Sequence, residues 1–204
     1  MSRRVRVKSS ATGSLFSRMV YRPASNYKDM ALMWGLAWLI IGIILCWYID
    51  LVPTSMFGYT WGKTSLLWQS ALGLVMWVSS TIIFYGFAIV LNRNVSITEL
   101  FGRMLFAHWP VTLMLLPAIV GDKIAYATYM SSPSVAFEYA PLYAVLMSIF
   151  SAVVLVWYLY WGYCAFRRSV AKSGAVVFVA FVAAFVLSYL LSRYTLDVVY
   201  AGIV

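Results

Sequence analysis

Charge is scarce in this chain, and so are the side chains that most enzymes use. Only 10% of its 204 residues are charged, and it holds six acids, two cysteines and one histidine. The acids all lie at or beyond the ends of apolar stretches, so no Ser-His-acid set can form around a buried group. Cysteine and histidine form no cluster with metal-ligand spacing. We therefore predict no enzyme activity, no catalytic residue, no metal, no cofactor and no nucleic-acid partner.

Apolar residues dominate the chain instead. They make up 64% of it, and the mean hydropathy is +0.87. A soluble domain of this length has too little interior for that much apolar surface. Five apolar stretches are each long enough, at ~1.5 Å rise per residue, to cross a hydrocarbon core of ~30 Å. They cover residues 30–49, 66–91, 100–120, 142–166 and 175–191.

The lipid around these stretches determines their secondary structure. Because a bilayer offers no water to a bare peptide group, each stretch is expected to be helical. The sequence thus predicts an all-α integral membrane protein with five transmembrane helices. Residues 30–204 form the five-helix membrane domain, and residues 1–29 form a basic cytoplasmic tail.

The positions of lysine and arginine predict the orientation. With the N-terminus in the cytoplasm, twelve of the 15 basic residues lie on the cytoplasmic side. Lys63, Lys123 and Arg193 lie on the other side. Since cytoplasmic loops carry the excess of Lys and Arg, this pattern predicts a cytoplasmic N-terminus and an external C-terminus.

The basic tail is also expected to meet the membrane surface. Residues 14–21 place apolar side chains around one arginine, which predicts a short helix in the membrane interface that ends at Pro23. A basic side chain close to anionic headgroups gains about 1 kcal/mol. A simpler alternative is that these charges only set the orientation. The side chains expected to contact lipid headgroups are Arg3, Arg4, Arg6, Lys8, Arg18 and Arg22.

The third apolar stretch is unusual because it contains two prolines. Pro110 and Pro117 are seven residues apart and share one helix face. Each removes an amide donor and displaces a carbonyl, so we expect a kinked helix whose proline face points into the bundle. His108 lies just before the first kink. It is either a proton or ligand contact, or a donor to a freed carbonyl or a neighbouring helix.

Small and hydroxyl residues mark the other candidate contacts. Ser79, Ser80 and Thr81 form the most polar patch in the middle of an apolar stretch. They suit helix packing, although they could also line a path. Gly35 and Gly73 likewise suit close helix contact.

Residues 96–103 carry a helix start. Ser96 or Thr98 can cap the helix, and Glu99 stabilises its positive N-terminal end. Arg103 follows Glu99 by four residues and is expected to pair with it at the surface.

Two segments give the chain a family resemblance. Residues 15–27 read LFSRMVYRPASNY, and residues 96–103 read SITELFGR, with AHWP at residues 107–110. In these segments the chain resembles the Yip (Ypt-interacting protein) family of five-span membrane proteins. The family layout implies the same span number and orientation. Eukaryotic members have a longer cytosolic region before the first span, so the resemblance implies a bacterial member in the inner membrane, or a Golgi or ER protein if eukaryotic.

Three functions compete at this stage. The favoured one is a non-enzymatic membrane organiser or scaffold that binds lipid and either a partner membrane protein or a second copy. The alternatives are a small channel or transporter lined by the kinked third span, and a membrane enzyme that uses His108. Transporters driven by protons or sodium place ionisable groups in the middle of the membrane, and the acids of this chain lie elsewhere.

Overall fold

The computed structural model describes residues 28–120, 125, 126, 128, 129 and 132–201. Residues 1–27, with the predicted interfacial helix and the predicted headgroup contacts of the tail, lie outside the described residues. The described chain is mainly helical, as predicted. Its named helices are α1 (Lys28–Tyr48), α2 (Leu66–Leu91), α3 (Ile97–Ala107), α4 (Trp109–Thr112), α5 (Leu116–Val120), α6 (Pro133–Tyr139), α7 (Pro141–Val170) and α8 (Ala175–Ala201).

Four of these helices are long and apolar enough to cross a membrane. The candidate spans are Ala31–Tyr48, Leu66–Leu91, Pro141–Val170 and Ala175–Tyr200. This confirms the predicted helical, multi-pass character of the chain.

Two helices run past their predicted ends. Helix α7 continues beyond residue 166 and carries Arg167 and Arg168 in its last turn, where cations favour the negative end of the helix dipole. Helix α8 continues beyond residue 191 because its last turns stay packed. Leu196 is fully buried, and the Tyr200 hydroxyl donates to the Pro53 carbonyl at 3.2 Å.

The prolines of the third stretch interrupt its helix. The expected single helix over residues 100–120 is instead α3, α4, a 3₁₀ turn at Leu113–Leu115, and α5. Pro110 lies in the first turn of α4, where a missing amide donor costs nothing. The 3₁₀ turn precedes Pro117, and the Leu116 amide donates to the Leu113 carbonyl. Residues 97–120 are called the third segment below.

The two ends of the bundle differ in the elements that meet there. At one end the α2–α3 loop meets the α7–α8 loop, where the Asn92 side-chain amide donates to the Val170 carbonyl at 2.9 Å. We call this the Arg167 end. At the opposite end, α1 finishes and α2 begins, and a β-hairpin joins them. We call that the hairpin end.

The third segment passes from one end of the bundle to the other. Leu100 shares a buried cluster with Val170 at the Arg167 end. Val111 lies in the central cluster. Leu115 shares a cluster with Ile49 at the hairpin end. A helical path of this length covers roughly 36 Å at 1.5 Å per residue, which exceeds a hydrocarbon core of about 30 Å.

The connection between α1 and α2 corrects a prediction. The length and composition of residues 50–65, with Pro53, Gly58, Tyr59 and Trp61, predict an interfacial loop with aromatic anchors. The structure instead has an antiparallel hairpin of β1 (Leu51–Pro53) and β2 (Tyr59–Trp61) that is packed into the bundle. Val52 and Met56 are at most 2% exposed. The paired strands hydrogen-bond each other's backbone groups, so those groups need no water. The hairpin can therefore pack its apolar side chains inside the bundle.

The hairpin turn depends on a glycine. The Gly58 amide donates to the Ser55 hydroxyl at 2.8 Å, and the Thr54 amide donates to the Gly58 carbonyl at 2.8 Å. A Cβ at Gly58 would lie 2.7 Å from the side-chain hydroxyl oxygens of Ser55 and Thr54. A larger residue at position 58 would displace these hydroxyl groups, one of which accepts the bond that closes the turn.

Helices α1 and α3 pack closely through glycines. A Cβ at Gly102 would lie 2.9 Å from backbone atoms of Leu32, and one at Gly35 would lie 3.0 Å from the Leu105 side chain. Close approach through small residues is a usual means of helix association in lipid. Gly73 makes a similar approach to Ile43, at 3.0 Å.

The Gly102 contact gives a test of this packing. Gly102→Ala should destabilise the protein by roughly 1–3 kcal/mol, because the new methyl meets backbone that cannot move aside. Gly86→Ala is the matched control. A Cβ at Gly86 meets nothing within 4 Å, so that change should be neutral or stabilising by up to ~1 kcal/mol. Thermal unfolding in detergent measures both, and equal effects of the two changes would contradict the packing.

Candidate functional site

The tip of the hairpin packs against the central cluster, where Phe57 is partly buried. The Phe57 ring lies 5.3 Å from the Tyr158 ring of α7 and 5.7 Å from the Phe185 ring of α8, measured between centroids. It lies 6.1 Å from the His108 ring. A residue from the α1–α2 connection thus contacts side chains of α7, α8 and the third segment.

His108 is buried among aromatic rings. It is 7% exposed, and its ring meets those of Trp77 at 4.4 Å and Tyr158 at 5.2 Å, both edge to face. Its Nδ1 atom is buried and has no hydrogen-bond partner among the described residues. The expected bond to a freed carbonyl or a neighbouring helix is therefore not made by Nδ1. Ring packing positions this histidine.

A small cavity lies beside His108. It has about 40 Å³ of space for water and runs between α1, α2, the hairpin and the third segment. That volume is enough for roughly one water molecule. Its polar lining comes from Cys46, Tyr59, Gln69, His108 and Thr112, while the rest is mainly apolar.

Gln69 ties the hairpin to α2. Its side-chain amide donates to the Leu51 carbonyl at 3.0 Å, and its carbonyl oxygen accepts from the Thr64 hydroxyl at 2.9 Å. Cys46 lines the same cavity as Gln69. Gln69 is 2% exposed, so these bonds replace water that the amide has lost.

The predicted hydroxyl patch lies outside this cavity. The Ser79 and Ser80 hydroxyls both donate to the Met76 carbonyl of their own helix, at 3.0 and 2.8 Å. The Ser80 carbonyl accepts from the Ser188 hydroxyl of α8 at 3.2 Å. Thr81 is buried, and its hydroxyl has no partner among the described residues. The patch is thus part of the contact between α2 and α8, as the packing alternative predicts.

The remaining candidate residues lie in two different parts of the bundle. Pro110 is buried within the part of the third segment that lines the cavity, and Pro117 is partly buried just beyond it. Glu99 and Arg103 lie at the Arg167 end instead. Ser96 caps α3 by accepting from the Glu99 amide, which confirms the predicted helix start.

The Glu99–Arg103 pair differs from its prediction in one respect. The two side chains form an ion pair at 2.6 Å, as the spacing predicts. Arg103 is only 7% exposed, however, so the pair is not at the surface. Helix α3 turns this face into the bundle because its neighbours Leu100 and Met104 belong to the core.

The inserted hairpin tip and the role of Gln69 were not predicted from the sequence. The insertion of Phe57 depends on contacts distant in sequence, which no local pattern reveals. Gln69 could have been found, because an amide inside an apolar stretch needs a partner. Turn residues Ser55 and Gly58 between short apolar runs were also a signal for a hairpin.

Thiol labelling can test the position of the hairpin. In a chain with Cys46 and Cys164 replaced by alanine, Met56→Cys should react slowly with a maleimide, because Met56 is 1% exposed. Lys63→Cys, in the exposed part of the same connection, is the control and should react quickly. Similar labelling rates at the two positions would show that the hairpin is not packed into the bundle.

Comparisons with known proteins assign the chain to no family. No family model, curated protein or solved structure gives a significant match to the chain. The resemblance to the Yip family therefore stays a prediction from the residues that carry it.

Proposed function

We propose that this chain is a Yip-like, non-enzymatic membrane protein with five spans that acts as a scaffold for a partner membrane protein or a second copy. The observation that carries the proposal is the filled centre of the bundle, where Phe57, Trp77, His108 and Tyr158 pack together. Because side chains fill the interior, other molecules would bind the outer surface of the bundle and would not pass through it.

The fifth crossing in this proposal is the third segment. It joins clusters at both ends of the bundle and is long enough to cross, although prolines divide it. Broken helices are tolerated in lipid where neighbouring protein surrounds the irregular backbone. His108, Pro110 and Val111, at the first break, are buried, which supports this assignment.

The orientation in the proposal follows the basic residues. The Arg167 end carries Arg93, Arg167, Arg168 and Lys172. Because an excess of Lys and Arg marks the cytoplasmic side, we place the Arg167 end in the cytoplasm and the hairpin end outside. The inner membrane of a bacterium is the location that the resemblance favours.

Helix α8 offers the surface most suited to a partner helix. Its exposed side has a shallow apolar groove with a small residue at its base. Apolar contact alone drives no association in lipid, but a groove allows close packing of a second helix. The residues that line it are Phe178, Val179, Val182, Ala183, Val186 and Leu187.

The channel remains the alternative function. The cavity beside His108 and the broken third segment are its support. A path through the bundle would need the hairpin to leave the centre, because Phe57 occupies the space between α7, α8 and His108.

A photo-crosslinking experiment in native membranes tests the scaffold. A photoreactive residue at Val182 should give an adduct of protein mass, because a partner helix occupies the α8 groove. The same residue at Val145, a comparably exposed valine of α7, is the matched control and should react with lipid only. A second copy and a different protein are separated by the mass of the adduct.

Two results would contradict the scaffold. One is lipid adducts alone at both positions. The other is ion flux through wild-type protein in liposomes that rises further in Phe57→Ala, which would assign the channel instead. The scaffold predicts flux at the level of protein-free liposomes for the wild type.

A further inference from the structure

The Arg167 end contains a buried arginine with an unused donor. Arg103 is 7% exposed. Its Nη2 atom pairs with the Glu99 carboxylate at 2.6 Å, but its Nε atom is buried and has no hydrogen-bond partner among the described residues. An unsatisfied donor on a charged group is costly in a protein interior, and such groups call for an explanation such as a bound ligand.

A second arginine, Arg168, adds positive charge at the same end as Arg103. Arg168 lies in the last turn of α7, whose Phe166 and Val170 share a buried cluster with Leu100 of α3. Its positive charge is therefore at the same end of the bundle as Arg103 and repels it. Glu99 offsets part of this repulsion, and it is the only acid in residues 91–103 and 165–175. The same stretches also carry Arg93, Arg167 and Lys172. Helix α1 also begins at this end, with Lys28 and Asp29. Basic residues still outnumber acids there, beside a donor that has no acceptor among the described residues.

The backbone around these charges is held in place. Asn92 donates to the Val170 carbonyl at 2.9 Å, and the Lys172 ammonium donates to the Leu91 carbonyl. These bonds join the α2–α3 loop to the α7–α8 loop. Lys172 is thus engaged in structure, while Arg168 stays exposed at the end of α7. The helices that carry the two arginines are therefore joined to each other at this end.

We propose that the Arg167 end binds a phosphate group between Arg103 and Arg168. A phosphate oxygen would accept from the Nε of Arg103, and its negative charge would relieve the repulsion between the two guanidiniums. Arginine suits this task because its planar donors match the geometry of phosphate oxygens. The source is either the headgroup of an anionic phospholipid or a soluble phosphate, since both present the same oxygens.

Native mass spectrometry of the full chain can test this site and its source. Protein in phosphatidylcholine nanodiscs is compared with protein in nanodiscs that also contain phosphatidylglycerol, and with protein in phosphatidylcholine plus inorganic phosphate. A lipid site predicts retained phosphatidylglycerol on the wild type and no effect of inorganic phosphate. A soluble-phosphate site predicts retained phosphate without any need for phosphatidylglycerol.

Three variants distinguish binding at this site from non-specific attraction of phosphate to positive charge. Arg168→Gln, at an exposed position, should weaken retention ~10-fold through loss of one charge-assisted contact. Arg103→Lys keeps the charge and the partner for Glu99 but lacks Nε, and should weaken it similarly. Arg193→Gln, an exposed arginine far along α8, is the control and should retain the ligand as the wild type does.

The proposal fails if the wild type retains neither phosphatidylglycerol nor phosphate. It also fails if Arg193→Gln loses retention as much as Arg168→Gln, since that would show attraction to net charge alone. Size-exclusion chromatography shows that each variant is folded before retention is compared.

Discussion

The insertion of the hairpin tip between α7, α8 and the third segment is the contact on which the rest of the structure depends. Phe57 is partly buried and packs against the central cluster, and Gln69 and Tyr200 bind the hairpin backbone from two different helices. The hairpin can enter because its strands pair with each other and leave few bare peptide groups. The same requirement explains the third segment, where a 3₁₀ turn and restarted helices provide for the carbonyls that prolines would leave unpaired.

This arrangement assigns different roles to the two ends and the centre. The centre is packed with rings and holds one small cavity, so it supports a structural role for His108. The buried ion pair of the described bundle lies at the Arg167 end, where Arg103 is 7% exposed and pairs with Glu99. A scaffold that anchors to phosphate at its Arg167 end and packs a partner along α8 would use this end and the outer face of the bundle. Neither role needs a path across the membrane.

Local patterns predicted much of the fold, and long-range contacts account for the rest. Length and hydropathy identified the four long helices, and Ser96 with Glu99 identified the start of α3. Pro110 and Pro117 predicted a disturbance but not its form, because whether a helix bends or restarts depends on its neighbours. The insertion of Phe57 and the burial of Arg103 depend on contacts between residues far apart in sequence. Spacing within one helix predicts that Glu99 and Arg103 pair, but not how deeply they are buried.

Solid-state NMR in lipid bilayers measures the central contact most directly. His108 is the only histidine in the chain, so isotope-labelled histidine gives one imidazole whose neighbours can be identified. With labelled phenylalanine added, a cross-peak between a phenylalanine ring and this imidazole should appear, since the Phe57 and His108 centroids are 6.1 Å apart. The cross-peak should vanish in Phe57→Leu. Its absence from the wild type, or its survival in that variant, would contradict an inserted hairpin.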